Sequence, residues 1–461
     1  MNKIIVFLFF VFSALAFGQE VKLKRGGVTD LIPVEKGSNE TFSVFLPSKF
    51  DAKKEWPIIF LIDTQGKSKQ TLGFFKNIAE KHGYILAAAN AMHDSLTTPK
   101  NVVAFNKVFN NVASMLPLKS GRVYTAGFST GGRIASLIPA FNANINGVIS
   151  CGATIGNRDV LNVKNPFQFI GIIGNEDFNY TEVVANKKLL NRLGFASELI
   201  VFNGGHEWPK IQYLDEALKK FTLDAMAKGI VAKDSIYVER EFGNDIRAVH
   251  QLLGAQELLA ADAKILSNIA KYRSFKVIDT LKSLQQYVKK LKLYKTQKRS
   301  ESSFFLKESL VKDEFNYYLE EDIITYNFNN LGWWKYQMEQ LQKHQKSGNK
   351  FERQMGKRLE GYLNAFIDDN VDLILSEEQL DVEALSFLWM LKTITAPADF
   401  DNYLKLIAHS AMSEDFGTAL FYLEELLKQG FKDKDKLYKM ENAALFRISP
   451  EFKVLMEKYF N

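Results

Sequence analysis

Residues 127–131 read Gly-Phe-Ser-Thr-Gly, a serine held between two glycines. A serine hydroxyl is a weak nucleophile until a base takes its proton, and a histidine base works only when a third group fixes its tautomer. Glycines two residues before and after a serine let a strand turn sharply into a helix without clashing, which leaves the hydroxyl exposed. A serine at a purely structural turn has the same appearance, so the downstream residues decide. An acid is sought after one later strand and a histidine after the next. "FIGIIGNEDFNY" (169–180) supplies Asp177, with Glu176 as its rival. "ELIVFNGGHEWP" (198–209) supplies His206 on a Gly-Gly loop before Trp208-Pro209. His82 ends a helical stretch, where a cation suits the helix dipole. His93 follows a strand and is a candidate for the pocket wall. His250, His344 and His409 fall in the later, helical half.

The elements that must position these residues alternate from 40 to 229. Strand-like runs are Ser43–Leu46, Ile58–Ile62, Tyr84–Ala89, Val123–Ala126, Gly147–Cys151, Gln168–Ile173 and Glu198–Phe202. Helix-like segments lie between them at 72–82, 102–116, 132–141, 182–193 and 211–228. From Ile58 on, the strands are continuous apolar runs, as expected for strands buried on both faces. The alternation predicts an α/β domain with a parallel sheet and right-handed crossovers. Ser129, Asp177 and His206 then all follow strand C-terminal ends, on the rim where such sheets bind ligands.

On these residues, 40–229 resembles the α/β-hydrolase superfamily. The closer resemblance is to its polyhydroxybutyrate-depolymerase-like and feruloyl-esterase-like branch. The matching residues are Gly127–Gly132 at the nucleophile turn, Gly174 and Asp177 at the acid turn, and Gly204-Gly205-His206 with Trp208-Pro209 at the base. The resemblance covers under half the chain. It implies a carboxylic-ester hydrolase with Ser129 as nucleophile, His206 as base and Asp177 as acid. It also implies an oxyanion hole made by the backbone N–H of Thr130 and that of Thr64 or Gln65. Substrate-pocket candidates are Asp63, Phe128, His93 and Trp208. No metal or cofactor is implied, and the substrate would be a small or polymeric ester. One departure stands out: after "PIIFLID" such hydrolases usually carry His-Gly, and this chain has Asp63-Thr64-Gln65-Gly66. An ionised Asp63 aimed at the hole would oppose the developing oxyanion; an Asp63 capping its own loop would instead hold the amides in place. Two rival functions follow, a peptidase of the prolyl-oligopeptidase-like branch, which shares the triad order, and a hydrolase-shaped binding protein.

After Gly229 the pattern changes. A polar stretch at 230–246 reads as a linker, and 247–461 as helices rich in Leu, Lys, Glu and Gln. Residues 415–431 form an amphipathic helix closed by Gly430, followed by a helix pair split at Pro450. The ending "LLKQGF…LFRISPEFKVLM" resembles a tetratricopeptide-type array, which implies a possible protein partner. The aromatic cluster 331–338 reads as core packing.

Composition sets the limits. A chain of 461 residues, 46% apolar and 24% charged, is globular and long enough for about two to three domains. A net charge of +6 with interspersed Lys and Glu leaves no nucleic-acid footprint. Cys151 is the only cysteine, which excludes an internal disulfide and a Cys-cluster metal site; the apolar run before it predicts a buried core residue. "MNKIIVFLFFVFSALAFGQE" has the order of a secretory signal, with cleavage expected near Gln19 and residues 1–18 removed. Its apolar run is short for a membrane span. The expected mature chain is exported, periplasmic or secreted, without a stable membrane span.

Overall fold

The structure, a computed structural model, describes residues 22–35 and 37–460. The expected signal segment, 1–18, lies outside the described residues. Eight strands are present: β1 (Gly27–Pro33), β2 (Thr41–Leu46), β3 (Trp56–Ile62), β4 (Ile85–Ala89), β5 (Leu118–Phe128), β6 (Gly147–Cys151), β7 (Gln168–Gly174) and β8 (Ser197–Phe202). Their order is β1-β2-β4-β3-β5-β6-β7-β8. Helices α1 (Ser68–His82), α2 (Thr98–Met115), α3 (Thr130–Phe141), α4 (Tyr180–Arg192) and α5 (Ile211–Ala227) alternate with them. The chain divides into two compact units, the first ending at Val123 and the second beginning at Tyr124.

In the first unit β3 and β4 pair in parallel, while β2 runs antiparallel to β4 and β1 antiparallel to β2. The parallel sheet read from the sequence is therefore mixed at this edge. Every residue of β4, and every residue of β3 after Trp56, is buried, which explains their unbroken apolar sequence. Helix α1 stops at Gly83, whose φ of 68° suits a residue without Cβ and whose N–H donates to the Ala79 carbonyl.

In the second unit β5, β6, β7 and β8 are all parallel neighbours. The register sets Phe128 beside Cys151 and Gly174 beside Phe202, so these strands end along one rim. Cys151 is fully buried, as its apolar context predicts.

The segment read as a linker is helical from Ser235. Helix α6 (Ser235–Gly254) is capped by Asp234, whose side chain accepts the Tyr237 N–H. Two of its acidic residues face neighbouring helices: Glu241 takes Lys219 of α5 at 3.0 Å, and Asp245 takes Lys271 at 3.0 Å. Helices α7 (Leu258–Tyr272), α8 (Asp279–Lys290), α9 (Lys292–Thr325), α10 (Leu331–Gln345) and α11 (Lys350–Leu375) follow, and helices continue to Pro450–Phe460. The aromatic cluster does pack a core. Trp334 is fully buried among Phe315, Leu359 and Leu363, with its indole N–H donating to Asp322 at 2.8 Å. Among the described residues no helix is long and apolar enough to cross a membrane.

Helix α7 is fastened to the sheet by a buried carboxylate. Glu198 of β8 accepts from Ser267 of α7 and lies 3.4 Å from Lys220 of α5. Burial alone would raise its pKa, but Lys220, Lys271 and the Ser267 hydroxyl outweigh it and hold the carboxyl at about 2.

Candidate active site

Ser129 joins β5 to α3 with φ 51° and ψ −124°. A non-glycine residue held there is strained by on the order of 1–3 kcal/mol, and the surroundings must impose it. They do so visibly. The Ser129 N–H donates to the Cys151 carbonyl at 2.9 Å, and the Ser129 carbonyl accepts from Arg133 at 3.0 Å. Gly127 is required by close approach, since a Cβ there would lie 2.4 Å from the Gly131 carbonyl carbon and oxygen. A serine at a helix N-cap usually turns its hydroxyl to the helix amides. Ser129 makes no such cap bond; its Oγ lies 2.9 Å from His206 Nε2.

His206 comes from the loop after β8. Its Nδ1 lies 2.9 Å from Asp177 Oδ2. Asp177 is 1% exposed, and its Oδ1 accepts the Asn179 N–H at 2.8 Å. A carboxylate facing Nδ1 puts the proton on Nδ1, which leaves Nε2 unprotonated and able to accept the Ser129 O–H. Three residues from three parallel-strand ends thus form one hydrogen-bonded chain. The arrangement can move a proton from Ser129 to His206 while Asp177 stays ionised.

Glu176, the rival carboxylate, turns away and pairs with Lys357 of α11 at 2.8 Å. Asn179, not singled out from sequence, ties the acid turn to its neighbours. Its Nδ2 donates to the Gly152 carbonyl at 2.9 Å, and Gly152 sits at φ 62° against the Phe128 and His206 rings. Phe128 stacks on Trp208 with centroids 5.2 Å apart and also contacts His206. Phe178, also missed, lies on His206 at 4.4 Å. Phe128 and Phe178 give the histidine an apolar surround, and Trp208 backs Phe128.

Asp63, Thr64, Gln65 and His93 belong to the first unit and are arranged among themselves. Asp63 Oδ1 accepts the Gln65 N–H at 3.0 Å and Oδ2 the Thr71 hydroxyl at 3.4 Å. Asp63 therefore caps its own loop. The Gln65 amide is engaged by this bond. The Thr64 carbonyl accepts from Asp94, and Gln65 and His93 form an antiparallel bridge. His93 Nδ1 lies 2.8 Å from the Ser95 hydroxyl. In the second unit, Thr130 is the first residue of α3. The N–H at such a position has no acceptor within its own helix. Among the described residues no cluster of His, Cys, Asp and Glu could hold a metal ion.

The helical half supplies further residues to this neighbourhood that nothing in the local sequence announced. Arg358 Nη1 donates to the Asn175 carbonyl at 2.8 Å, and Lys312 Nζ to the Phe178 carbonyl at 3.1 Å. The Arg358 guanidinium lies over the Tyr180 ring at 5.3 Å. Burial, reinforced by Glu301, pushes the Tyr180 phenol up to about 12, so it stays neutral. The one sequence signal was the Glu308–Lys312 pair, one helical turn apart.

The sheet with its flanking helices, and the serine turn between β5 and α3, are α/β-hydrolase-like; a helical region follows. No known family matches the sequence, and no curated protein does either. Several solved structures are similar to part of the chain. S-formylglutathione hydrolase from Staphylococcus aureus is 16% identical over 40% of this chain and 89% of its own, with a TM-score of 0.33. Esterase B from Lactobacillus rhamnosis, solved with a tributyrin phosphonate, is 16% identical over 44% and 89%, with a TM-score of 0.38. Esterase 2 from Thermogutta terrifontis, phosphonylated by cyclosarin, is 13% identical over 45% and 97%, with a TM-score of 0.37.

Proposed function

We propose that this protein is an exported serine hydrolase acting on carboxylic esters. The observation that carries the reading is the chain Ser129 Oγ–His206 Nε2–Asp177 Oδ2, with 2.9 Å at each step and the serine at φ 51°. Ser129 attacks the ester carbonyl carbon while His206 takes its proton. The tetrahedral oxyanion is held by the N–H of Thr130; the resemblance implies a second donor from the 64–65 loop. His206 returns the proton to the leaving alcohol, and an acyl-enzyme remains. Water, deprotonated by His206, then attacks the acyl carbon, releases the acid and restores Ser129. Asp177 keeps the imidazole in the required tautomer and balances its transient charge. The Phe128 and Trp208 side chains favour an apolar acyl or alcohol group. The binding-only alternative drew on Asp63 and the enlarged C-terminal half; the Asp63 carboxylate is engaged by the Gln65 N–H and the Thr71 hydroxyl. A tetratricopeptide-like relationship and a protein partner for the helical half form the finer part of the proposal, supported by its serial paired helices. Export is supported by the charge-then-apolar start of the sequence.

The test is a panel of p-nitrophenyl esters and chromogenic peptide anilides on the purified chain, with Ser129→Ala and His206→Ala beside it. Ester turnover that falls about 10⁴-fold in either variant is expected. Peptide turnover without ester turnover would transfer the reading to the peptidase branch. Export is checked by the mass of the protein recovered outside the cytoplasm, which should begin near Gln19; a chain still carrying Met1 would exclude it.

A further inference from the structure

We propose that the helical half is part of the catalytic apparatus, with Arg358 and Lys312 as positioning residues for the Asp177 carboxylate; this rests on reading Asp177 as the acid of the hydrolase. Asp177 lies between two peptide carbonyls that helices α9 and α11 hold. Arg358 of α11 donates to the carbonyl of Asn175, two residues before it, at 2.8 Å. Lys312 of α9 donates to the carbonyl of Phe178, one residue after it, at 3.1 Å. Both cations converge on one carboxylate. Arg358 donates from Nε and Nη2 to Glu308 Oε2 at 2.8 and 2.6 Å, and Lys312 lies 3.1 Å from Glu308 Oε1. Arg358 and Glu308 are each 1% exposed.

A buried ion pair is a poor way merely to join two helices, because an apolar pair of similar volume does this as well or better. An apolar pair could not hydrogen-bond the carbonyls of the acid turn. The rest of the turn repeats the pattern. Glu176 pairs with Lys357 of α11, and the Tyr180 ring packs on Phe305 of α9 at 6.0 Å. Phe178 rests against α11 at Gly361, where a Cβ would meet its ring at 3.4 Å, and touches His206 with the same ring. The helices thus grip residues 175, 176, 178 and 180, while Asp177 and Asn179 turn inward to His206 and Gly152. A turn after a strand is ordinarily mobile. Held at both flanking carbonyls, this one fixes where its carboxylate lies. A displacement of about 1 Å at such a group costs about 100-fold in rate.

The experiment uses the full chain with Arg358→Met, and the double variant Arg358→Met/Glu308→Leu, each alone and combined with Asp177→Asn, on a p-nitrophenyl ester. The double variant replaces the buried pair by apolar side chains, so it carries the test where Arg358→Met alone does not fold. The expected result is a fall in kcat of about 30- to 100-fold with KM changed less than about threefold. In the Asp177→Asn background the same change should cost less than about twofold, because the strut then has no carboxylate to position. A kcat within about threefold of the parent, or losses that multiply with Asp177→Asn, would overturn the inference and leave the hydrolase reading intact. If Asp177→Asn alone leaves kcat unchanged, the acid is misassigned, and the positioning role falls with it.

Discussion

Replacing Asp177 by Asn keeps the shape of the acid and deletes its charge, and the structure indicates how the amide must sit. Asp177 Oδ1 accepts the buried Asn179 N–H at 2.8 Å, so the amide oxygen is needed on that side. Turning the NH₂ there would leave a buried N–H facing a donor, at a cost of about 1–3 kcal/mol. The NH₂ therefore faces His206 Nδ1 and donates to it. The imidazole proton moves to Nε2, where it meets the Ser129 O–H donor to donor, and the serine loses its base. A wrong-tautomer lesion of this kind lowers kcat by about 10⁴, or about 5.5 kcal/mol of barrier. Glu176→Gln is the matched control. It breaks a pair with Lys357 in which the two side chains are 27% and 47% exposed, and such pairs are worth about 0–1 kcal/mol. Its effect on kcat should stay within about fivefold. The assay is kcat and KM on a p-nitrophenyl ester at neutral pH, with circular dichroism to verify the fold. Asp177→Asn retaining more than a tenth of parental kcat, or Glu176→Gln losing more than about 100-fold, would refute the assignment of the acid.

Three further outcomes follow from other parts of the molecule. Asp63→Asn should lower kcat modestly rather than raise it, because one of the two bonds that shape the Thr64–Gln65 loop is lost; a tenfold rise would show a charge that opposes the oxyanion instead. Glu198 is depressed from the ordinary carboxylate value of 4.5 to about 2, against burial, by Lys220 and Lys271. Its contribution to stability is therefore complete above about pH 4.5 and is lost as pH falls toward 2. Melting temperature against pH should show a shallower acid limb in Glu198→Gln, and identical limbs would remove this carboxylate from the account. Limited proteolysis should cut first between 229 and 234, since Gly229 ends α5 at φ 72° and α6 begins at Ser235; first cuts within 235–254 would show that α6 is not held by its ion pairs.

The three chain-forming residues were legible because each sits on a local pattern, a strand end followed by glycines or a tight turn. The register of β5 to β8 then had only to bring the ends together. The choice between Asp177 and Glu176 was not legible, as adjacent carboxylates differ only in which way the turn points them. The helix that begins inside 230–246 was hidden for a related reason. Glu241 and Asp245 look like solvent-facing polarity in sequence, but they are paired with Lys219 and Lys271 on neighbouring helices. Strand β1 was missed because GVTDLIP, on an edge, lacks the apolar run of the inner strands. Arg358 lies 183 positions from its partner Asn175, and no periodicity encodes such a pairing.

The central claim is that Ser129 is an activated nucleophile, and covalent trapping tests it most directly. The purified chain is treated with a fluorophosphonate and digested, and the adduct is located by mass spectrometry. The account predicts one phosphonylated site, in the peptide that contains Ser129. It also predicts no labelling of Ser129→Ala and greatly slowed labelling of His206→Ala. A folded protein that takes up no phosphonate, or takes it up at another residue, would contradict it.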